Sequence, residues 1–181
     1  VLKNRSVTVL IPAGNAGDGL ISAGTMQVLD RHSVPYDKFQ WCQTDLILQQ
    51  SPKNTLLVVG CGGYCKYWNT IIPAIERVQS HFEQMIIAPS TFDVSVPRVA
   101  EFLQGLPRSC LVFCREQTSY NGVLSIVSNT ENILIDHDLA LTRPWQTKKS
   151  EYFGGKVLRA FRTDIEGKQS KKRYATEDNV D

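Results

Sequence analysis

Arg115 stands directly after an apolar run, Cys110-Leu111-Val112-Phe113-Cys114. A guanidinium at the end of a buried strand projects into a crevice, where it suits a bidentate grip on a carboxylate or phosphate. A salt bridge with Glu116 or another surface acid is the competing use. Asp138 follows Ile133-Leu134-Ile135 and offers a base or a polar strand end. His137 beside it reads as a surface histidine, and His32 and His81 as helix-end residues. The turn Gly14-Asn15-Ala16-Gly17-Asp18-Gly19 is a further candidate contact, because glycines let backbone amides approach a ligand and the helix that follows turns its positive end toward an anion. Its glycine spacing is not the dinucleotide fingerprint, and no Gly-Lys-Ser/Thr follows it. Asp18 there serves either as a ligand contact or as a helix cap.

A second glycine turn, Gly60-Cys61-Gly62-Gly63, runs into Tyr64, Tyr67 and Trp68. Aromatics beside such a turn suit stacking on a sugar face, or packing on the helix below. Ala88-Pro89-Ser90-Thr91-Phe92-Asp93 carries hydroxyls that either bind a phosphate or sugar or cap the next helix. Ser119 follows Arg115 closely enough to share its neighbourhood. Cys61 with Cys65, and Cys110 with Cys114, have no histidine near them in sequence, so no metal site is expected. Alternation along a strand puts Cys110 and Cys114 on one sheet face. No Gly-x-Ser-x-Gly elbow is present, which argues against a Ser-His-Asp hydrolase.

These residues need elements to carry them. Val7–Ile11, Thr55–Val59, Gln84–Ala88, Cys110–Cys114 and Asn132–Ile135 are short, continuous apolar runs that read as buried strands, with Val34–Tyr36 a weaker one. Leu20–Leu29, Ile71–Phe82 and Val96–Leu106 have helical spacing, and a short helix is expected after Cys114. This β-α-β-α order predicts an α/β fold, a doubly wound and mostly parallel sheet with helices on both faces. In such a sheet, ligands sit outside the carboxyl ends of the strands, where every candidate above falls.

The bulk numbers agree. The chain has 181 residues, 42% hydrophobic and 21% charged, enough for one domain with a sizeable core. A net charge of +2 gives no basic field for nucleic acid. No apolar run is long enough to cross a membrane, and the start lacks a signal-peptide stretch. The absent initiator Met suggests a trimmed terminus. Five cysteines in or beside apolar runs favour reduced thiols and a cytoplasmic setting. Residues 148–181 hold nine Lys/Arg and six Asp/Glu. Val157–Phe161 is read as one last strand, and the segment after Gly167 as a polar tail or linker.

With these residues in hand, the chain resembles the first lobe of the polysaccharide pyruvyl transferase family. The resemblance rests on Asn15-Ala16-Gly17-Asp18 with Leu20-Ile21 and Gly24, then Val58-Val59-Gly60-Cys61-Gly62-Gly63, then Pro89-Ser90-Thr91-Phe92. It continues through Phe113-Cys114-Arg115-Glu116 with Ser119, Asp138-Leu139-Ala140, and Ala160-Phe161-Arg162-Thr163-Asp164 with Glu166. These motifs are collinear from about residue 9 to residue 166. Cys61 stands where glycine is commoner in the family.

The resemblance implies a Rossmann-like lobe over residues 1–166 of a two-lobed, GT-B-like fold, with 167–181 leading toward a second lobe. It implies transfer of a pyruvyl group from phosphoenolpyruvate to a sugar of a polysaccharide or its precursor, with no cofactor, in the cytoplasm or at the inner face of the membrane. Such chemistry calls for a general acid, a base and an anion clamp. Arg115 is then the clamp and Asp18 a catalytic partner. Asn15, Gly17, Gly62 and Gly63 shape the crevice, Tyr64 or Trp68 packs on the acceptor, and Ser90, Thr91, Ser119 and Asp138 complete the substrate contacts. A homo-oligomer is compatible with this reading. The family's Arg-Leu-His segment, expected to supply the acid, does not occur in these 181 residues. One lobe of a longer protein, a cleaved chain or a loss of catalysis would each account for that, and weak or no turnover is expected of this chain alone. The alternatives are a GT-B glycosyltransferase lobe using a nucleotide sugar, or a non-catalytic carbohydrate-binding module.

Overall fold

A computed structural model describes residues 6–50, 53–62, 64–67 and 69–142. The elements alternate as β1 (Val7–Ile11), α1 (Ala16–Arg31), β2 (Tyr36–Gln40), α2 (Thr44–Leu48), β3 (Lys53–Val58), α3 (Ile71–Val78), β4 (Phe82–Ser90), α4 (Pro97–Gln104), β5 (Cys110–Cys114), α5 (Gln117–Ile126) and β6 (Ile133–Ile135). A 3-10 turn over Leu139–Thr142 follows. The strands form one six-stranded sheet in the order β2-β1-β3-β4-β5-β6, and every pairing is parallel.

Strand alternation sends apolar side chains to two cores. Leu10, Leu56, Val58, Met85, Ile87, Val112 and Cys114 face one side, with Ile47 of α2, Ile71, Ile72 and Ile75 of α3, Val99 and Phe102 of α4, and Val123 of α5. Val7, Val9, Leu57, Val59, Ile86 and Ala88 face the other, with Ile21 and Leu29 of α1. The chain leaves β1 toward β2 in one direction, and from β3 onward it runs in the other. The reversal puts the switch point between β1 and β3, where their carboxyl ends diverge and a crevice opens.

The doubly wound α/β reading therefore holds, with every pairing parallel among the described strands. Cys110 and Cys114 do share one face. Most element ends moved by a few residues, and three of the shifts have a visible cause. The second strand begins at Tyr36, because Pro35 has no amide for a ladder and Val34 closes the turn after α1 by donating to the Leu29 carbonyl at 3.0 Å. The third helix stops at Val78; a 3-10 turn over Gln79–His81 follows and Phe82 already belongs to β4. The strand expected to end at Ala88 continues to Ser90 across a shift of register with β5 between Ile87 and Ser90. Helix α2, five residues long, was not expected; it is too short to show a period. The expected strand Val157–Phe161 and the polar segment after Gly167 lie outside the described residues. No described helix is long and apolar enough to cross a membrane.

Candidate functional site

The site is assembled at the carboxyl edge of the sheet. Helix α1 opens on a capping box: the Gly17 amide donates to Asn15 Oδ1 at 2.7 Å, and the Asn15 amide donates to Asp18 Oδ2 at 2.8 Å. The cap is therefore Asn15, and Asp18 is its reciprocal partner. Asp18 also reaches across the switch point, where its Oδ1 accepts the Gly62 amide at 3.0 Å. Gly60 lets the second loop pack on the end of β4: a Cβ there would lie 2.3 Å from the Pro89 carbonyl oxygen. Beside it Cys61 is buried, its amide directed at Ser90 Oγ at 3.3 Å.

Arg115 stands at the end of β5, one strand in from the margin of the sheet. Its Nε donates to Thr91 Oγ1 at 2.7 Å, its Nη1 to Asp138 Oδ2 at 3.0 Å, and its Nη2 to the Gly62 carbonyl at 3.3 Å. Glu116 Oε2 stands 3.6 Å from Nε and accepts the Thr91 hydroxyl at 3.1 Å. The ends of β3, β4, β5 and β6 thus meet on one guanidinium. The salt bridge foreseen as the competing use of Arg115 exists, and its closest acid is Asp138. Asp138 is held in turn by the Ala140 amide, which donates to its Oδ1 at 2.9 Å. A guanidinium has five N–H groups. Three are used among the described residues, which leaves one on each terminal nitrogen there, and the side chain is 25% exposed.

Other expected contacts are turned inward. Tyr64 is 0% exposed and stacks against Phe92 and Phe102, so its ring is not available to a sugar. Its backbone explains this: the Tyr64 amide donates to the Thr91 carbonyl at 2.8 Å and its carbonyl accepts the Asp93 amide at 2.9 Å, tying the loop to the end of β4. Burial holds the Tyr64 phenol well above its usual pKa. Ser90 is fully buried and donates to the Ala88 carbonyl at 2.8 Å. Ser119 is buried too; its Oγ accepts the Phe92 amide at 2.8 Å and bonds Glu116 Oε1. These two serines shape the edge from beneath and do not face a ligand. Nor do Ser90 and Thr91 cap the next helix: its N-cap is Val96, without a side-chain bond.

Asn15, Gly17, Asp18, Gly62, Thr91, Arg115 and Asp138 are thus brought to one edge, while Gly63 and Trp68 lie outside the described residues. An open crevice of about 300 Å³ adjoins Asn15 and Asp18, lined with them by Ile11, Pro12, Ser22 and Gln40. Glu116 was foreseen only as a surface partner of Arg115. It also organises Thr91 and Ser119, and its adjacency to a strand-end arginine was the signal for it. Among the described residues, no three His, Cys, Asp or Glu side chains gather to hold a metal ion. All five cysteines are free thiols.

No protein-family model matches the chain, and no curated protein sequence matches it. Among solved structures, it is similar to an uncharacterized protein from Klebsiella pneumoniae, with a TM-score of 0.66 and 23% identity over 92% of this chain. The chain spans 62% of the length of that protein. At this identity the likeness shows the fold alone, a Rossmann-like α/β fold.

Proposed function

We propose that this chain is the first lobe of a pyruvyl-transferring enzyme, in which Arg115 grips the anionic part of phosphoenolpyruvate and the neighbouring crevice receives a sugar of a polysaccharide or its precursor. The observation that carries the reading is the placement of Arg115 at the carboxyl edge, where it also reaches the Gly62 carbonyl after β3, with three partners and two N–H groups left over among the described residues. Charge-assisted bonds from a preorganised guanidinium suit a donor that carries both phosphate and carboxylate. The crevice at Asn15, Ser22 and Gln40 offers amide and hydroxyl groups that suit sugar hydroxyls. The resemblance in motif order points the same way. Turnover then requires a proton donor from outside these residues, since Asp18 is already committed to two backbone amides.

Calorimetry of phosphoenolpyruvate binding to the chain tests the reading. Arg115→Ala is expected to weaken binding by roughly 10- to 100-fold, the loss of about 1.5–3 kcal/mol for a bond to a charged group. Unchanged affinity removes Arg115 from the role. Thermal stabilisation by a nucleoside diphosphate and not by phosphoenolpyruvate would replace the reading with that of a nucleotide-sugar glycosyltransferase lobe.

A further inference from the structure

We propose that Asp138 is the built-in counter-ion that an incoming anion displaces from Arg115, and that it thereby sets which anions the edge accepts; this rests on the anion-clamp reading above. Asp138 and Arg115 are equally sheltered, each with a quarter of its side chain exposed, and their charged atoms meet at 3.0 Å. Glu116 lies 3.6 Å from the same guanidinium. One cation therefore faces two carboxylates, and a ligand anion arriving at this closed arrangement meets a net negative surround.

The two acids are not equivalent. Glu116 is tied on both oxygens, to the Thr91 hydroxyl and to Ser119, and those bonds reach the buried Phe92 backbone. Among the described residues Asp138 is tied only to Arg115 and to the turn that follows it, through the Ala140 amide on its side chain and the Leu141 amide on its carbonyl at 3.0 Å. Glu116 is thus a fixed part of the wall, while Asp138 can release Arg115 and keep its bond to the turn.

A tethered carboxylate competes at a high effective concentration. A ligand with one carboxylate reaches only the remaining N–H groups while Asp138 stays on Nη1 and keeps the surround negative. A ligand with a phosphate and a carboxylate on neighbouring atoms can replace Asp138 on Nη1 and also engage the unused N–H groups. Asp138 thereby selects doubly anionic ligands over singly anionic ones.

NMR titration of the chain with phosphoenolpyruvate, pyruvate and inorganic phosphate is the test, run on the native chain, Asp138→Asn, Asp138→Ser and Glu116→Gln. Serine removes the charge but keeps an oxygen for the Ala140 amide, so it serves if Asn disturbs the fold. The native chain is expected to prefer phosphoenolpyruvate to pyruvate, and Asp138→Asn or Asp138→Ser to reduce that preference by at least about 10-fold, chiefly through tighter pyruvate binding. Glu116→Gln is expected to leave the preference in place. Bound phosphoenolpyruvate should also shift the Ala140 and Leu141 amides in the native chain. An unchanged preference in both Asp138 variants overturns the proposal, whatever the affinity for phosphoenolpyruvate. If nothing binds the native chain, the pyruvyl reading fails. In that case pyruvate or phosphate binding to the Asp138 variants sustains the counter-ion, and no binding to them overturns it.

Discussion

The Asp18 carboxylate of α1 and the Gly62 amide, 44 positions apart in the chain, are joined by a 3.0 Å hydrogen bond across the switch point of the sheet. One side chain thus closes the capping box of the first helix and fixes the second glycine loop, whose carbonyl then accepts from Arg115. Removing Asp18 leaves two amides without their partner. Asp18→Ala is expected to lower stability by about 1–2 kcal/mol, a fall in Tm of roughly 2–8 °C. Asp18→Asn should fall between the two. A melting curve identical to that of the native chain would contradict the bridging role.

Glycines on the same helix separate packing from propensity. A Cβ on Gly24 would sit 1.9 Å from the Leu139 carbonyl oxygen, whereas one on Gly19 meets nothing within 4 Å. Gly24→Ala is therefore expected to cost about 1–3 kcal/mol by overpacking. Gly19→Ala, in a helical position, should gain about 0.5–1 kcal/mol. Urea denaturation of the two variants side by side checks the opposite signs.

Tyr64 has a buried hydroxyl with no hydrogen-bond partner among the described residues. Tyr64→Phe removes an unsatisfied polar atom and keeps the ring stack, so stability should be unchanged or raised by up to about 1 kcal/mol. Tyr64→Ala should cost about 3–5 kcal/mol. Sugar binding by the Tyr64→Phe variant should match that of the native chain, because the ring does not reach the surface.

Cys110 and Cys114 are held up to about 12 from an ordinary 9.0, both by burial, and Cys114 also by the Glu116 carboxylate. Folding therefore favours the neutral thiols. Their contribution is complete below pH 9.0 and is lost as the pH rises from there toward about 12. Cys110→Ala with Cys114→Ala should flatten the alkaline fall in stability. In the native chain at about pH 8, a thiol reagent should modify exposed Cys42 and spare this pair until unfolding. Equal labelling rates would contradict their burial.

The apolar runs and their turns carried the fold in the sequence alone. Val7–Ile11 and Cys110–Cys114 were legible to the residue, because strands covered on both faces are short, nearly continuous apolar runs, with Thr8 the one hydroxyl between them. The placement of Arg115 after β5 and Asp138 after β6 followed from that, since a parallel sheet delivers every strand end to one edge. Tertiary structure decided what those residues do there. Tyr64 read as an exposed aromatic in a glycine loop, yet its backbone pairs with the end of β4 and pulls the ring into the core. Ser90 and Ser119 read as ligand hydroxyls, yet each is consumed by a backbone partner beneath the surface. Asp138 and Arg115 lie 23 positions apart, and only the pairing of β5 with β6 brings charge to charge. Local sequence determines burial periods and turns because these depend on neighbours along the chain. Hydrogen bonds between strand ends depend on neighbours in space, and those the folded sheet alone supplies.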